Sequence, residues 1–199
     1  MRIIVALLIL WPLAATASPA SDALKREGLR SLEANRYEEA IERFRAATLA
    51  DPADRDAAFL LGATFNRAGD FEGAYVRLKT LEDTGYRNRE FDFEIGWSLL
   101  GMGRAGACVP RLARYEQAVP GRAITSELLG RCHLLLREYD KAEAKLREAL
   151  ARDPGAKQRV DLYLAQVQYG RGDRQAADAT VAGILRGDSD IGRALRDAQ

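Results

Sequence analysis

Gly28, Gly62, Gly96 and Gly130 follow one another at intervals of 34 residues, and that interval limits the fold more than any other feature of the chain. Each glycine sits in an apolar-periodic segment, directly after Glu27, Leu61, Ile95 or Leu129. Twelve residues past each glycine stands a small residue: Ala40, Ala74, Cys108 or Ala142. Four residues further comes a large apolar one, Phe44, Leu78, Leu112 or Leu146. Pro52, Tyr86, Pro120 and Pro154 close each unit, 24 residues past the glycines. A helix pair joined by a tight turn needs a point of close approach, which small residues permit, and the large residue one turn later fills the space beside it. Proline cannot continue a helix and so punctuates the passage to the next pair. Asn35-Arg36, Gly69-Asp70, Gly103-Arg104 and Gly172-Asp173 supply the turns inside the pairs. Such a period predicts stacked helix pairs that bury a core only together.

The pattern resembles the tetratricopeptide repeat family, whose 34-residue helix-turn-helix unit carries W-x2-L-G-x2-Y, A-x3-F and P. The first unit reads Leu24, Gly28, Tyr37, Ala40, Phe44, Pro52, and the second Leu61, Gly62, Phe65, Phe71, Ala74, Leu78. The fourth reads Leu129, Gly130, Tyr139, Ala142, Leu146, Pro154. A fifth is shifted by one residue, with Leu164, Ala165, Gly172 and Ala177. The resemblance implies an all-α, right-handed solenoid of about five helix pairs with a short C-terminal helical segment. Units are expected at about 21–54, 55–88, 89–122, 123–156 and 158–191, within a repeat domain covering 18–199. The third unit departs most: Cys108 replaces alanine, and Pro110 with Gly103 and Gly106 predicts a late start or a kink in its second helix.

The N-terminus reads differently. Arg2 precedes an apolar run from Ile3 to Trp11, broken by Pro12, and Ala15-Thr16-Ala17 is a small-x-small site. This is the order of a secretory signal peptide, expected over 1–17 with cleavage before Ser18. The run is too short for a span of about 20 apolar residues, and no second one follows, so the mature chain is expected to lack an integral span and to be periplasmic. The main alternative is an uncleaved anchor. In an oxidising compartment, Cys108 and Cys132 permit one disulfide, the alternative being two buried thiols. On the resemblance they sit on stacked neighbours, the second helix of unit three and the first helix of unit four. A link would need Cα atoms within about 7 Å.

Charged residues make up 30% of the chain, yet the net charge is +1 and the arginines are scattered, so no nucleic-acid partner is expected. Gly101-Met102-Gly103-Arg104-Ala105-Gly106 matches G-x-G-x-x-G, but a helix-like segment precedes it where a nucleotide fold needs a strand. His133 and two cysteines are too few ligands for zinc, and His133 and Cys132 point in different directions on one helix. The aspartates at 51, 54 and 56 lack a calcium-loop pattern and read as helix caps and solvated loop residues. No cofactor, metal site or catalytic set is expected, and the chain reads as a non-enzyme.

In the family, the first helix of each pair lines a concave groove. Carried over, the candidate binding residues are Phe59, Asn66, Arg67, Phe93, Trp97, Leu100, Arg131 and Tyr169. The family's lysine and asparagine clamp for a peptide carboxylate is not kept: Lys25 survives, but Leu29, Leu60, Glu90 and Glu94 hold the other places. Phe93, Trp97 and Leu100 form a stripe at i, i+4 and i+7, suited to a segment with apolar anchors. The expected function is protein-protein interaction or scaffolding in the bacterial cell envelope, with a peptide or protein partner. The alternative is a non-catalytic accessory or regulator binding a glycan or small molecule. Oligomeric state is left open.

Overall fold

The computed structural model describes residues 18–197, with side chains to 187; the expected signal peptide and its cleavage point lie outside the described residues. The described residues are helical and contain no strand. The helices are α1 (Pro19–Glu33), α2 (Tyr37–Ala50), α3 (Arg55–Ala68), α4 (Phe71–Asp83), α5 (Phe91–Gly101), α6 (Ala105–Ala118), α7 (Ala123–Leu135), α8 (Tyr139–Arg152), α9 (Lys157–Arg171) and α10 (Arg174–Asp197). None of them is long and apolar enough to cross a membrane. The chain divides into two compact units between Leu61 and Gly62, inside α3.

In the first unit α1 packs on α2. A side-chain Cβ at Gly28 would stand 2.6 Å from the Phe44 ring, so only glycine allows this approach. Ser18 caps α1 by accepting from the Ser21 amide. Asp54 starts α3: it accepts from the Ala57 amide at 3.0 Å and the Ser21 hydroxyl at 2.6 Å, and pairs with Lys25 at 2.7 Å. Burial pushes the Asp54 carboxyl up, but Lys25, Ser21 and the Ala57 amide together hold it below its ordinary value.

The second unit repeats the same contact. The Cβ position of Gly62 lies 2.9 Å from Leu78, that of Gly96 2.7 Å from Leu112, and that of Gly130 2.7 Å from Leu146. The large residue 16 positions on thus presses directly on each repeat glycine.

Turns inside the pairs share one geometry in both units. Asn35, Gly69, Gly103, Arg137 and Gly172 all have positive φ. One residue on, the amides of Arg36, Asp70, Arg104, Glu138 and Asp173 donate to Ser31, Phe65, Leu99, His133 and Gln168 carbonyls at 2.8–3.0 Å. This is the Schellman closure of a helix end, which favours glycine at the left-handed position.

Two expectations are decided locally. Helix α6 starts at Ala105, nine residues past its glycine like α4 and α8, so Pro110 does not delay it. Proline removes a single i→i−4 bond here, whereas Ala105, Cys108, Leu112 and Tyr115 are all buried on one side of the helix and hold its start. The expected C-terminal helical segment is a continuation of α10. Asp188 stands where Pro154 ended the previous unit, and α10 runs on unbroken to Asp197.

Cys108 on α6 and Cys132 on α7 are fully buried and at disulfide distance, with Cα atoms 6.4 Å apart.

Candidate functional site

Helices α5, α7 and α9, with the end of α3 from Gly62, carry the second unit's share of the candidate residues. Asn66 is buried and turns its amide onto the next first helix, where Nδ2 donates to the Glu94 carbonyl at 2.8 Å and to Glu94 Oε2 at 2.9 Å. Its Oδ1 accepts from the Ser98 hydroxyl at 2.7 Å. Arg67 places two guanidinium nitrogens 3.1 Å from Glu94 Oε1. Burial outweighs Arg67 and Asn66 and pushes the Glu94 carboxyl above its ordinary range.

An aromatic cluster continues from this pair. Arg67 lies over the Trp97 ring at 5.4 Å, and Trp97 meets Phe93 edge-on at 5.9 Å. Phe93 tilts against Tyr115 at 5.2 Å, and Arg122 lies over the Phe93 ring at 5.0 Å. The Tyr115 hydroxyl bonds Glu90 Oε2 at 2.7 Å and Arg122. Asn66, Arg67, Phe93 and Trp97 are therefore brought together.

The other candidates have surroundings of their own. Arg131 sits over Tyr163 at 4.9 Å, and no ion pair is found for it among the described residues. Tyr169 is exposed, with its hydroxyl on Asp178. Phe59 is buried and belongs to the first unit. Leu100 is buried.

The expected stripe needs correcting on this geometry. Phe93 and Leu100 are buried, and only Trp97 between them is half-exposed. Positions three before and four after the repeat glycine face the next first helix, as the Asn66 bonds to α5 show. Directly after the glycine, Trp97 in α5 and Arg131 in α7 are partly open and Gln166 in α9 is exposed, whereas Ala63 in α3 is buried. Register along the chain identifies which residues are equivalent, not which way each points. It also missed Ser98, Tyr115, Arg122 and Tyr163, since nothing in their local pattern marks them; each matters only through a partner about one repeat away.

Charge on this face is mostly spent internally. Glu127 on α7 is buried and takes Arg159 of α9 in a fork of 2.8–3.0 Å bonds. Leu135, five positions after Gly130, is exposed. Among the described residues no group of three or more His, Cys, Asp or Glu side chains could hold a metal ion.

A second feature lies between α8, α9 and α10. Second helices are tied at one-repeat offsets by Glu82 with Arg111 at 2.7 Å and Glu116 with Lys145 at 2.7 Å. At the next offset stand Leu150 and Ala179, which cannot pair. A cavity of about 690 Å³ opens there, with Leu164, Val167, Thr180, Gly183 and Ile184 in its lining.

The sequence matches the tetratricopeptide repeat family over residues 25–75 and 93–157, more than half of the chain. The chain belongs to the tetratricopeptide repeat family. Its fold class is the family's all-α solenoid of helix pairs. Among solved structures it is similar to MamA from Desulfovibrio magneticus RS-1 (residues 41 to the end), with a TM-score of 0.69 and 16% identity, covering 88% of this chain and 98% of that one. It is also similar to a thermophilic tetratricopeptide repeat protein of Thermus thermophilus, with a TM-score of 0.65 and 25% identity, covering 90% and 97%. No curated protein matches the chain. In family terms, Trp97, Arg131 and Gln166 hold the same register position of three successive repeats.

Proposed function

We infer that this tetratricopeptide repeat protein is a non-catalytic protein-protein interaction module of the bacterial cell envelope, holding a partner segment along the open face of its first helices. The carrying observation is the position one residue past the repeat glycine in α5 and α7. Trp97 stays half-exposed beneath Arg67, Arg131 has no carboxylate partner among the described residues, and Leu135 is exposed one turn beyond Arg131. An aromatic and a guanidinium at one register position, with a leucine one turn beyond, suit a segment with apolar anchors and an acidic group. The near-neutral net charge of +1 offers no attraction to nucleic acid.

Export to the periplasm has its own support. The leader-like order of residues 1–17 precedes a helix that opens at Pro19 with Ser18 as its cap, so a chain starting at Ser18 keeps its first helix. A buried cysteine pair at disulfide distance suits an oxidising compartment. N-terminal sequencing of the envelope fraction should begin at Ser18; intact Met1 in a membrane pellet would mean an anchor.

The deciding experiment is affinity capture from envelope extract with wild type and Trp97→Ala side by side. A partner held by wild type and lost by the variant, with helix content unchanged, fits this reading. A partner held equally by both removes the site from this position.

A second reading is favoured by the cavity between α8, α9 and α10. Its volume of about 690 Å³ lies in the range of small-molecule sites. An accessory or regulator binding a glycan or small molecule there would gain heat stability with saccharides and capture no protein.

A further inference from the structure

The repeat register shows what normally covers each side of a first helix. Three residues before the repeat glycine, Phe93 is 3% exposed and Glu127 2%. The first lies under Arg122 at the start of α7, and the second is held by Arg159 of α9. Four residues after the glycine, Asn66 is clamped by Glu94 and Ser98 of α5. These positions form the trailing side of each first helix, and the next first helix occupies it. In α9, Ala165 takes the glycine's place, so the same two positions are Leu162 and Tyr169. They are 46% and 47% exposed. Burying such a pair is what drives one repeat onto the next.

The leading side is defined by the same contacts. Glu94 and Ser98, two before and two after Gly96, are the groups that meet Asn66. Tyr163, two before Ala165, is the ring that meets Arg131. In α1 the corresponding residues are Arg26 and Arg30, two before and two after Gly28. Both are exposed, and no ion pair is found for either among the described residues.

The two sides are complementary in chemistry as well as in register. Setting the leading side of α1 on the trailing side of α9 brings Arg26 and Arg30 to Tyr169. The Tyr169 hydroxyl already holds the exposed Asp178 carboxylate beside its ring. A ring with a carboxylate at its edge offers two guanidinium groups both cation-π and ionic contact. The protein uses this chemistry between its own first helices, with Arg67 over Trp97 and Arg131 over Tyr163. Pairing two α9 helices about a twofold axis would leave Arg26 and Arg30 unused.

We propose that the protein associates head to tail, α9 of one copy receiving α1 of a second copy as a further repeat would be received. This goes beyond the partner-binding reading, which uses different positions. The contact is heterologous, so it propagates into chains of copies rather than closing as a twofold dimer.

The test is sedimentation velocity of the purified protein from roughly 10 µM to 1 mM, a range suited to an interface of about one helix on one helix. Wild type should show a series of species growing with concentration. A head variant, Arg26→Glu with Arg30→Glu, and a tail variant, Leu162→Lys with Tyr169→Lys, should each be monomeric, with association weakened at least tenfold. All four positions are exposed, so each variant should melt cooperatively with wild-type helix content. Mixing the variants in equal amounts should restore association, because one retains a working tail and the other a working head. Wild type that stays monomeric throughout overturns the proposal. So does a head variant that still associates, the result a twofold α9 pair would give. Failure of the mixture to associate overturns it too.

Discussion

Gly96→Ala sets two effects of known sign against each other. In a helix interior, alanine is favoured over glycine by about 1 kcal/mol through lost backbone entropy. Here the new Cβ would stand 2.7 Å from both Cδ2 and Cγ of Leu112 and 3.5 Å from Arg111 Cβ. Carbon atoms sit ordinarily about 3.5–4.0 Å apart, so the overlap with Leu112 is roughly 1 Å. Leu112 is fully buried, so a χ1 rotation that moved its Cγ away would drive it into other core side chains. Overpacking of this kind costs about 1–3 kcal/mol, and contact at two atoms puts it toward the upper end. The net expectation is a loss of about 1–2 kcal/mol, read as a fall in urea midpoint of roughly 0.5–1 M for a slope near 2 kcal/mol/M. Gly183→Ala is the control. Gly183 lies inside α10 with nothing within 4 Å of its Cβ position, so it should gain about 0.5–1 kcal/mol. Leu112→Ala should then remove the clash. In that background Gly96→Ala becomes neutral or stabilising, a coupling of about 1–3 kcal/mol in a double-mutant cycle. If Gly96→Ala stabilises the wild-type background as Gly183→Ala does, the close-approach account of the repeat glycine is wrong.

Further outcomes follow from other parts of the fold. Reducing the Cys108–Cys132 pair, or replacing both with serine, should lower stability by about 3 kcal/mol on the chain-entropy account of a loop this size; melting that is identical with and without reductant would mean no link forms. Arg137→Gly should stabilise by about 1 kcal/mol, since Arg137 alone among the five equivalent turn positions is neither glycine nor asparagine while its φ is 59°; an unchanged midpoint would remove strain from the account of that turn. Burial raises the Glu94 carboxyl, so as pH climbs through the ordinary carboxylate range the unfolded chain ionises first and the folded state loses stability until its own, higher value is passed. Wild type should therefore fall progressively behind Glu94→Gln from about pH 4 upward; a gap moving the other way would show that Arg67 governs the charge.

The 34-residue spacing of Gly28, Gly62, Gly96 and Gly130 determined the family, the fold class and the partner of each glycine, because each contact joins residues at a fixed distance along the chain. Phe44 presses on Gly28, and Leu78, Leu112 and Leu146 repeat that contact. Turn chemistry was legible at Asn35, Gly69, Gly103 and Gly172, but not at Arg137, where the surrounding helix pair imposes the same backbone on an unsuitable residue. The candidate site was legible only in part. Trp97 and Arg131 could be named from register, but Phe93 and Leu100 could not be told from surface residues, since an amphipathic stripe looks the same whether a partner or the next repeat covers it. Tertiary structure decided that difference. It set Glu94 beneath Asn66 and Arg67, Arg159 on Glu127 and Tyr163 under Arg131, pairings about one repeat apart that no local pattern records. It also left Leu162 and Tyr169 open on α9, because exposure depends on which neighbour is present and not on the residue itself.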